Sequence, residues 1–257
     1  MILQSAWQLS LDFLGSSVVV VQPSAEQVSS DAGLLPFRQL DERLAWTRQF
    51  AAALTDRRQV GYVGHTFLEM TRSRIYGILA DYADQNDHDV LRSDPIFKLI
   101  CGRSIDDEDL ASQPTLSRFE NAIGPACFGL QADRLSDHRY FANLFRLYLH
   151  AAAYNLLVRM RQIVADPPPA PQRQDVPTEA LTGSQRRQYH NHRREHDPLG
   201  EGQPCTWRTR LIKVAARVRQ TTRRVLVELS SSWPYLKHFQ QVGQRVLETP
   251  TASFDTG

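Results

Sequence analysis

A long apolar stretch, SDHRYFANLFRLYLHAAAYNLLVRMRQIVA, runs from Ser136 to Ala165 and limits the folds open to this chain. Its apolar residues recur at steps of three and four, which predicts a helix with a broad apolar face. Ser136 can cap the start, and the proline run from Pro167 ends any helix. Because such a helix is not stable alone in water, we expect it to be the spine against which the rest of the chain packs.

Shorter patterns before the spine predict a small helical domain behind a β-hairpin. The stretch from Val18 to Leu35 is typical of strand, turn and strand, with turn residues at Pro23-Ser24 and at 31–33. Pro36 opens a helical pattern, and a second helix is predicted from Thr66 to Ala83. That helix would carry its apolar residues mostly on one side and Arg72 and Arg74 on the other.

Beyond the spine, residues 166–177 hold five prolines and are predicted to form a linker. Alternating residues at Arg210–Val218 and Arg223–Leu229 predict a second β-hairpin, and Trp233–Leu247 a final helix. The expected fold class is therefore mainly α with minor β, an α+β fold.

Charge is unevenly distributed along the 257 residues. Up to Ala122 there are 11 basic and 17 acidic residues, and from Ile123 onward there are 19 and 11. Only three of the 30 basic residues are lysines, an excess of arginine that suits phosphate backbones and that a GC-rich genome would also produce. No apolar run is long enough for a membrane span, the N-terminus lacks a secretory signal, and three isolated cysteines (Cys101, Cys127, Cys205) are typical of cytosolic thiols. We expect a soluble, intracellular protein.

Two segments that contain histidine could be taken for metal-binding sites, but the spacing of their residues does not favour this interpretation. Asp84–Asp89 (DQNDHD) lacks the central Gly and distant Glu of a calcium loop, so a polar corner between helices is expected. His190, His192 and His196 do not share one helical face and are crowded by arginines. We therefore expect no metal site.

The segment from Asp109 to Ala122 has the layout of a recognition helix. Ser112 can cap it, Pro114 lies in its first turn, and polar groups project near its start from Gln113, Thr115, Ser117 and Arg118. Such groups could meet base edges and phosphates in a major groove. An ordinary capped surface helix explains the same pattern.

A second candidate for DNA contact is the basic run QRRQYHNHRREH at 185–196. Arg186, Arg187, Arg193 and Arg194 could neutralise phosphates, and a solvated disordered surface is the alternative.

Long stretches of the chain resemble bacterial insertion-sequence transposases of the DDE class. The residues that carry the resemblance are SDAGLLPFRQLDERL (Ser30–Leu44), HTFLEMTRSRIYGILADYADQNDHDVLRSDPIFK (His65–Lys98), LASQPTLSRFEN (Leu110–Asn121), LQADRLSDHRYFANLFRLYLHAAAYNLL (Leu130–Leu157) and DPLGEGQPCTWRTRLIKVAARV (Asp197–Val218). The resemblance implies DNA at transposon ends as the partner and a bacterial, cytoplasmic, nucleoid-associated protein.

The same resemblance implies an RNase H-like core between SRFEN and the spine, with two aspartates and a glutamate holding two Mg²⁺ ions for strand cleavage. Here SRFENA is followed by IGPACFG, and Ile123–Gly129 holds no acidic residue. The expected organisation is an N-terminal DNA-binding region at 1–122, a deletion junction at 123–129 and a C-terminal segment at 130–257, with the core largely absent. No catalytic residue and no bound metal are expected.

Three functions remain open at this point. The first is a truncated transposase that binds DNA, or its intact relatives, without cutting. The second is a dominant-negative regulator that acts by occupying transposon ends or by mixing with intact transposase. The third is a non-functional relic. Self-oligomers are a further expectation, because the spine would otherwise expose apolar surface.

Overall fold

A computed structural model describes residues 8–15, 17–24, 30–56, 58–59, 61, 63–122, 138–164, 182–188 and 204–252. The helices in this part of the chain are α1 (Leu34–Leu44), α2 (Trp46–Ala52), α3 (Phe67–Leu79), α4 (His88–Leu91), α5 (Pro95–Cys101), α6 (Gln113–Ala122), α7 (His138–Val164), α8 (183–188), α9 (Pro204–Trp207) and α10 (Leu236–Glu248). The strands are β1 (Leu9–Leu14), β2 (Ser17–Ser24), β3 (Ala216–Gln220) and β4 (Arg224–Ser230). This is the predicted mainly helical α+β fold.

The four strands form one sheet in the order β1-β2-β4-β3. β1 and β2 are an antiparallel hairpin, as are β3 and β4, and the two hairpins join through the parallel pair β2–β4. Val19 pairs with Val225 and Val21 with Val227, and all four are buried on the core face. The first and last parts of the chain therefore share one sheet and one core.

Two predicted strand positions are wrong. The N-terminal hairpin lies earlier than expected, because β2 pairs backward with Leu9–Leu14 across a turn in which Gly15 has a positive φ of 62°. Leu34 and Leu35 start α1 instead of ending a strand. In the C-terminal hairpin, Arg208–Ile212 forms a π-helical turn, because this bend buries both Leu211 and Ile212.

The spine is confirmed as α7, which packs against α1, α3, α6 and α10. Phe145, Leu149, Leu156 and Met160 on one of its faces are completely buried. None of the helices described is long and apolar enough to cross a membrane.

A tight backbone contact attaches the C-terminal segment to the start of α1. The amide of Ala32 donates to the carbonyl of Val214 and that of Gly33 to the carbonyl of Ile212, both at 3.2 Å. A Cβ on Gly33 would lie 1.8 Å from the carbonyl oxygen of Leu211. Glycine is thus required for the two segments to approach this closely.

Candidate nucleic-acid interface

The predicted recognition helix is α6, and it is held firmly in the fold. Leu116, Phe119 and Glu120 are buried toward α3 and α7. The ring of Phe119 stacks edge-on against Phe145 of α7, with centroids 5.3 Å apart. The exposed side of α6 is therefore the side that could meet DNA.

Of the four candidate side chains on α6, Arg118 is exposed and the other three are half-buried. The Thr115 hydroxyl lies 3.1 Å from that of Ser112, and the Ser117 hydroxyl accepts from Asn121 Nδ2 at 3.3 Å. The backbone amide of Gln113 donates to Asp89 at 3.1 Å. Arg118 is the best placed of the four for an intermolecular contact.

The loop before α6 is acidic. Asp106, Asp107 and Glu108 are exposed there, while Asp109 pairs with Arg92 and Lys98 at 3.3 Å each. Exposed carboxylates within a Debye length of a phosphate repel it. The electrostatics at the start of α6 therefore weaken the case for a DNA-reading helix.

The predicted arginine cluster is only partly within the described residues. Arg186 and Arg187 are exposed on α8, whereas Arg193 and Arg194 lie outside the described residues, as do His190, His192 and His196. The clustering of the four arginines stays a prediction.

A second basic surface, on the β3–β4 hairpin, was not singled out from the sequence. Arg217 and Arg219 on β3 share the outer face of the sheet with Arg224, and Arg223 is exposed in the turn. We call these four residues the hairpin arginines. Arg219 donates to Glu228, which reduces the charge of this pair. The alternation Arg-Val-Arg in β3 was the available sequence signal, since a strand sends such residues to one face.

The hairpin end also touches the acidic loop. Ser104 Oγ donates to Gln220 Oε1 at 2.6 Å, and Asp107 accepts from the Ser104 amide. Phosphate contact is therefore more favourable on the outer sheet face than at the loop side of the hairpin end.

A buried charge network joins α3, α6 and α7. Arg74 Nε donates to one Glu120 oxygen and Arg146 Nε to the other, both at 2.6 Å. Glu120 is fully buried and the Arg74 side chain is 3% exposed, whereas that of Arg146 is 39% exposed. Arg74 and Arg72, expected on the outer side of their helix, are both buried.

An open cleft of about 270 Å³ borders this network, with His150 and Gln85 in its lining. Burial lowers the pKa of His150, and the Arg74 guanidinium adds to this. Because each oxygen of Glu120 accepts from one arginine, the buried carboxylate is fully hydrogen-bonded and fastens the three helices together.

The acidic corner from Asp84 to Asp89 is a polar connection between helices, as the sequence predicted. His88 is buried and lies between Ser73 Oγ (3.1 Å from Nδ1) and Arg74 (3.0 Å from Nε2). Because a guanidinium can only donate, Nε2 must accept and Nδ1 must carry the proton. Burial, followed by the charge of Arg74, lowers the pKa of His88 from 6.5 to about 3.

The described residues do not fit a two-metal centre. They contain no group of three His, Cys, Asp or Glu side chains that could hold a metal ion. Within the acidic corner, Asp84 accepts from Asn86, and Asp89 accepts from Gln113. The junction at 123–129 lies outside the described residues.

Part of the chain matches the model of a known protein family. Residues 12–128 match the family model of the transposase DDE domain group 1, which is 117 of the 257 residues. No curated protein and no solved structure matches the chain. The match supports a relation between this segment and DDE-class transposases, and with it a transposase-related role.

Proposed function

We propose that this protein is a shortened insertion-sequence transposase of the DDE class that binds DNA at transposon ends and does not cut it. The observation that carries the proposal is the match of residues 12–128 to the transposase DDE domain group 1. By this proposal the protein acts in the bacterial cytoplasm, at the nucleoid.

The short connection between α6 and α7 supports the lack of cleavage. It consists of residues 123–137, only 15 residues, whereas a domain needs at least about 50. Its first half, Ile123–Gly129, contains no Asp or Glu that could hold Mg²⁺. We place the deletion junction here, between a DNA-binding region at 1–122 and a C-terminal segment at 130–257.

DNA binding is proposed to combine two kinds of contact. The hairpin arginines, together with Arg186, Arg187, Arg193 and Arg194, would neutralise phosphates, which gives affinity without sequence preference. Arg118, helped by the other polar groups of α6, would supply the contacts to base edges that give preference for transposon ends.

The composite sheet favours a regulator over a relic. Val18 pairs with Arg224, which lies 206 residues further along the chain. This pairing requires both ends of the chain to fold together, which is not expected of a poorly folded relic. A folded, non-cutting protein could instead occupy transposon ends or combine with intact transposase as a dominant-negative subunit.

The test is fluorescence anisotropy with a duplex from the element's terminal repeats and a shuffled duplex of equal length, over a range of salt concentrations. Arg223→Ala with Arg224→Ala should weaken binding to both duplexes and reduce the slope of log affinity against log salt by up to about two. The control is Arg58→Ala, which removes an arginine already paired with Asp56 and should leave binding unchanged.

The proposed base contacts of α6 predict a different result in the same binding experiment. Arg118→Ala should cost about 1–3 kcal/mol on the terminal repeats and little on shuffled DNA. Equal weakening on both duplexes would make α6 an ordinary structural helix. No binding of the wild-type protein to either duplex would overturn the proposed function.

A further inference from the structure

The spine helix α7 has a second apolar face, which is turned to solvent. Tyr140 is 53% exposed, Leu147 63% and Tyr154 54%. Ala151 between them is also exposed, and Leu144 and Val158 are half-buried. We call these six residues the α7 seam. Its exposure contrasts with the opposite face of the same helix, which is completely buried at Phe145, Leu149 and Leu156.

The spacing of the α7 seam is regular. From Tyr140 the steps along the chain are 4, 3, 4, 3 and 4 residues, ending at Val158. This is the spacing by which one helix packs along another at a shallow angle, in the manner of a left-handed coiled coil. The seam is about 27 Å long at 1.5 Å per residue. Its next step would be Arg161, so the apolar stripe ends within the helix.

The borders of the α7 seam carry no Asp, Glu, Lys or Arg side chain over most of its length. Asn143 and His150 flank it on one side, and Tyr148 and Asn155 flank it on the other. Coiled-coil flanks usually select partners by opposite charges. A charge-free border neither demands an oppositely charged partner nor repels an identical one.

We propose that the α7 seam is the interface with a second copy of this chain. The two α7 helices pack antiparallel around a two-fold axis that crosses the seam at the height of residue 149, between Leu147 and Ala151. In that register Leu147 faces Ala151, Leu144 faces Tyr154, and Tyr140 faces Val158 of the second copy. Each layer then pairs a larger side chain with a smaller one, so the layers interdigitate. A parallel pair would place tyrosine on tyrosine and alanine on alanine, which alternately crowds and empties the layers.

The exposed area of the α7 seam fits a small dimer that forms in a concentration-dependent way. An aromatic side chain buries roughly 150–250 Å², so each half-exposed large residue of the seam still offers about 100 Å². Three of them together with Tyr148, which is 46% exposed, give about 400 Å² per copy and about 800 Å² for the pair. The smaller seam residues and the flanks extend this toward the lower limit of specific interfaces, about 1,200 Å² in total.

This inference deepens the self-oligomer expected of the proposed function but does not rest on it, because a chain that bound no DNA would still expose the α7 seam. The first experiment is sedimentation velocity of the full chain from about 1 to 100 μM. The wild-type protein should be dimeric at the upper concentrations. A monomer throughout this range would overturn the proposal.

The second experiment compares Leu147→Glu with Val90→Glu, a matched control at an exposed valine on α4 that is 77% exposed. A two-fold dimer contains each substitution twice, so a tenfold loss per site weakens the dimer about 100-fold in Leu147→Glu. Val90→Glu should dimerise like wild type. A dimer that tolerates Leu147→Glu uses another surface. If the wild type is monomeric and Leu147→Glu lowers its melting temperature by several degrees, another part of the same chain covers the α7 seam. Either of these two results refutes the inference.

The third experiment tests orientation in a chain whose Cys127 and Cys205 are replaced by Ser. A mixture of Leu147→Cys and Ala151→Cys chains should form a disulfide-linked pair on mild oxidation, whereas Leu147→Cys alone should not. Cross-linking of Leu147→Cys alone, with no linked pair of Leu147→Cys and Ala151→Cys chains in the mixture, would indicate the parallel arrangement and contradict the antiparallel register.

Discussion

Replacing Glu120 with Gln removes the shared partner of two arginines while preserving side-chain size. Arg74, whose side chain is 3% exposed, then keeps its charge with no carboxylate beside it. Breaking a buried ion pair by removing one partner costs about 3–5 kcal/mol. Arg146, at 39% exposure, can turn to water, so its loss of the same partner adds little.

The measurement is urea unfolding followed by tryptophan fluorescence and far-UV circular dichroism. We expect the free energy of unfolding to fall by about 3–5 kcal/mol. In a thermal scan of the same variant, this loss corresponds to a melting temperature lower by about 6–20 °C for a chain of this size. Glu108→Gln is the control, because Glu108 is exposed in the loop before α6 and its change should stay within about 0.5 kcal/mol. High salt should not rescue the variant, since buried pairs are weakly screened.

If Glu120→Gln instead unfolds within about 1 kcal/mol of wild type, Arg74 is hydrated in solution. The buried network, and the packing of α3, α6 and α7 derived from it, would then be refuted.

Three further predictions concern the packing around Gly33, Gly77 and His88. Gly33→Ala should destabilise the chain strongly, because its Cβ would overlap the Leu211 carbonyl; an unchanged unfolding midpoint would contradict the docking of the two segments. Gly77→Ala should destabilise as well, although alanine is the better helix former, because its Cβ would lie 2.8 Å from His88 Nε2; a stabilised variant would show that the histidine is elsewhere. The low pKa of His88, about 3 when folded and 6.5 when unfolded, contributes stability that is complete above pH 6.5 and is lost as pH falls toward 3. Urea unfolding at several pH values gives the free energy of unfolding as a function of pH. Between pH 3 and 6.5 this free energy should rise with pH less steeply in His88→Gln than in wild type, by up to about 1.4 kcal/mol per pH unit. Equal slopes in the two proteins would refute the buried neutral histidine.

The elements that the sequence predicted well have strong local signals. α7 runs from His138 to Val164, close to the predicted bounds, because a long periodic pattern stands before a proline run; the predicted cap Ser136 lies outside the described residues. The C-terminal hairpin and final helix were likewise predicted from alternation and from Trp233-Pro234. Strand ends were less accurate, since extended and helical backbones compete at Leu34–Leu35 and Arg208–Ile212.

The parallel pairing of β2 with β4 could not be predicted, because nothing local in Val18 indicates a partner at Arg224. A buried pair such as Arg74 and Glu120 also looks like a surface feature in sequence, where charge usually means exposure. Periodicity likewise did not reveal that α7 has two apolar faces, of which one remains exposed.

The hairpin arginines illustrate the same limit for the candidate interface. Their alternation was visible, but their position beside Val18 on the outer face follows only from the joined sheet. The predicted recognition helix α6 lies at the surface, as expected. The sequence did not show that the acidic loop before it also lies beside the β3–β4 hairpin, which Ser104 contacts.

Binding without cleavage can be tested in a single sample. The protein is incubated with an end-labelled terminal-repeat duplex and Mg²⁺ or Mn²⁺, and each sample is divided between a native gel and a denaturing gel. We expect a shifted complex on the native gel and full-length strands on the denaturing gel. Strand cleavage above that of a mock preparation, removed by chelation of the metal, would contradict it.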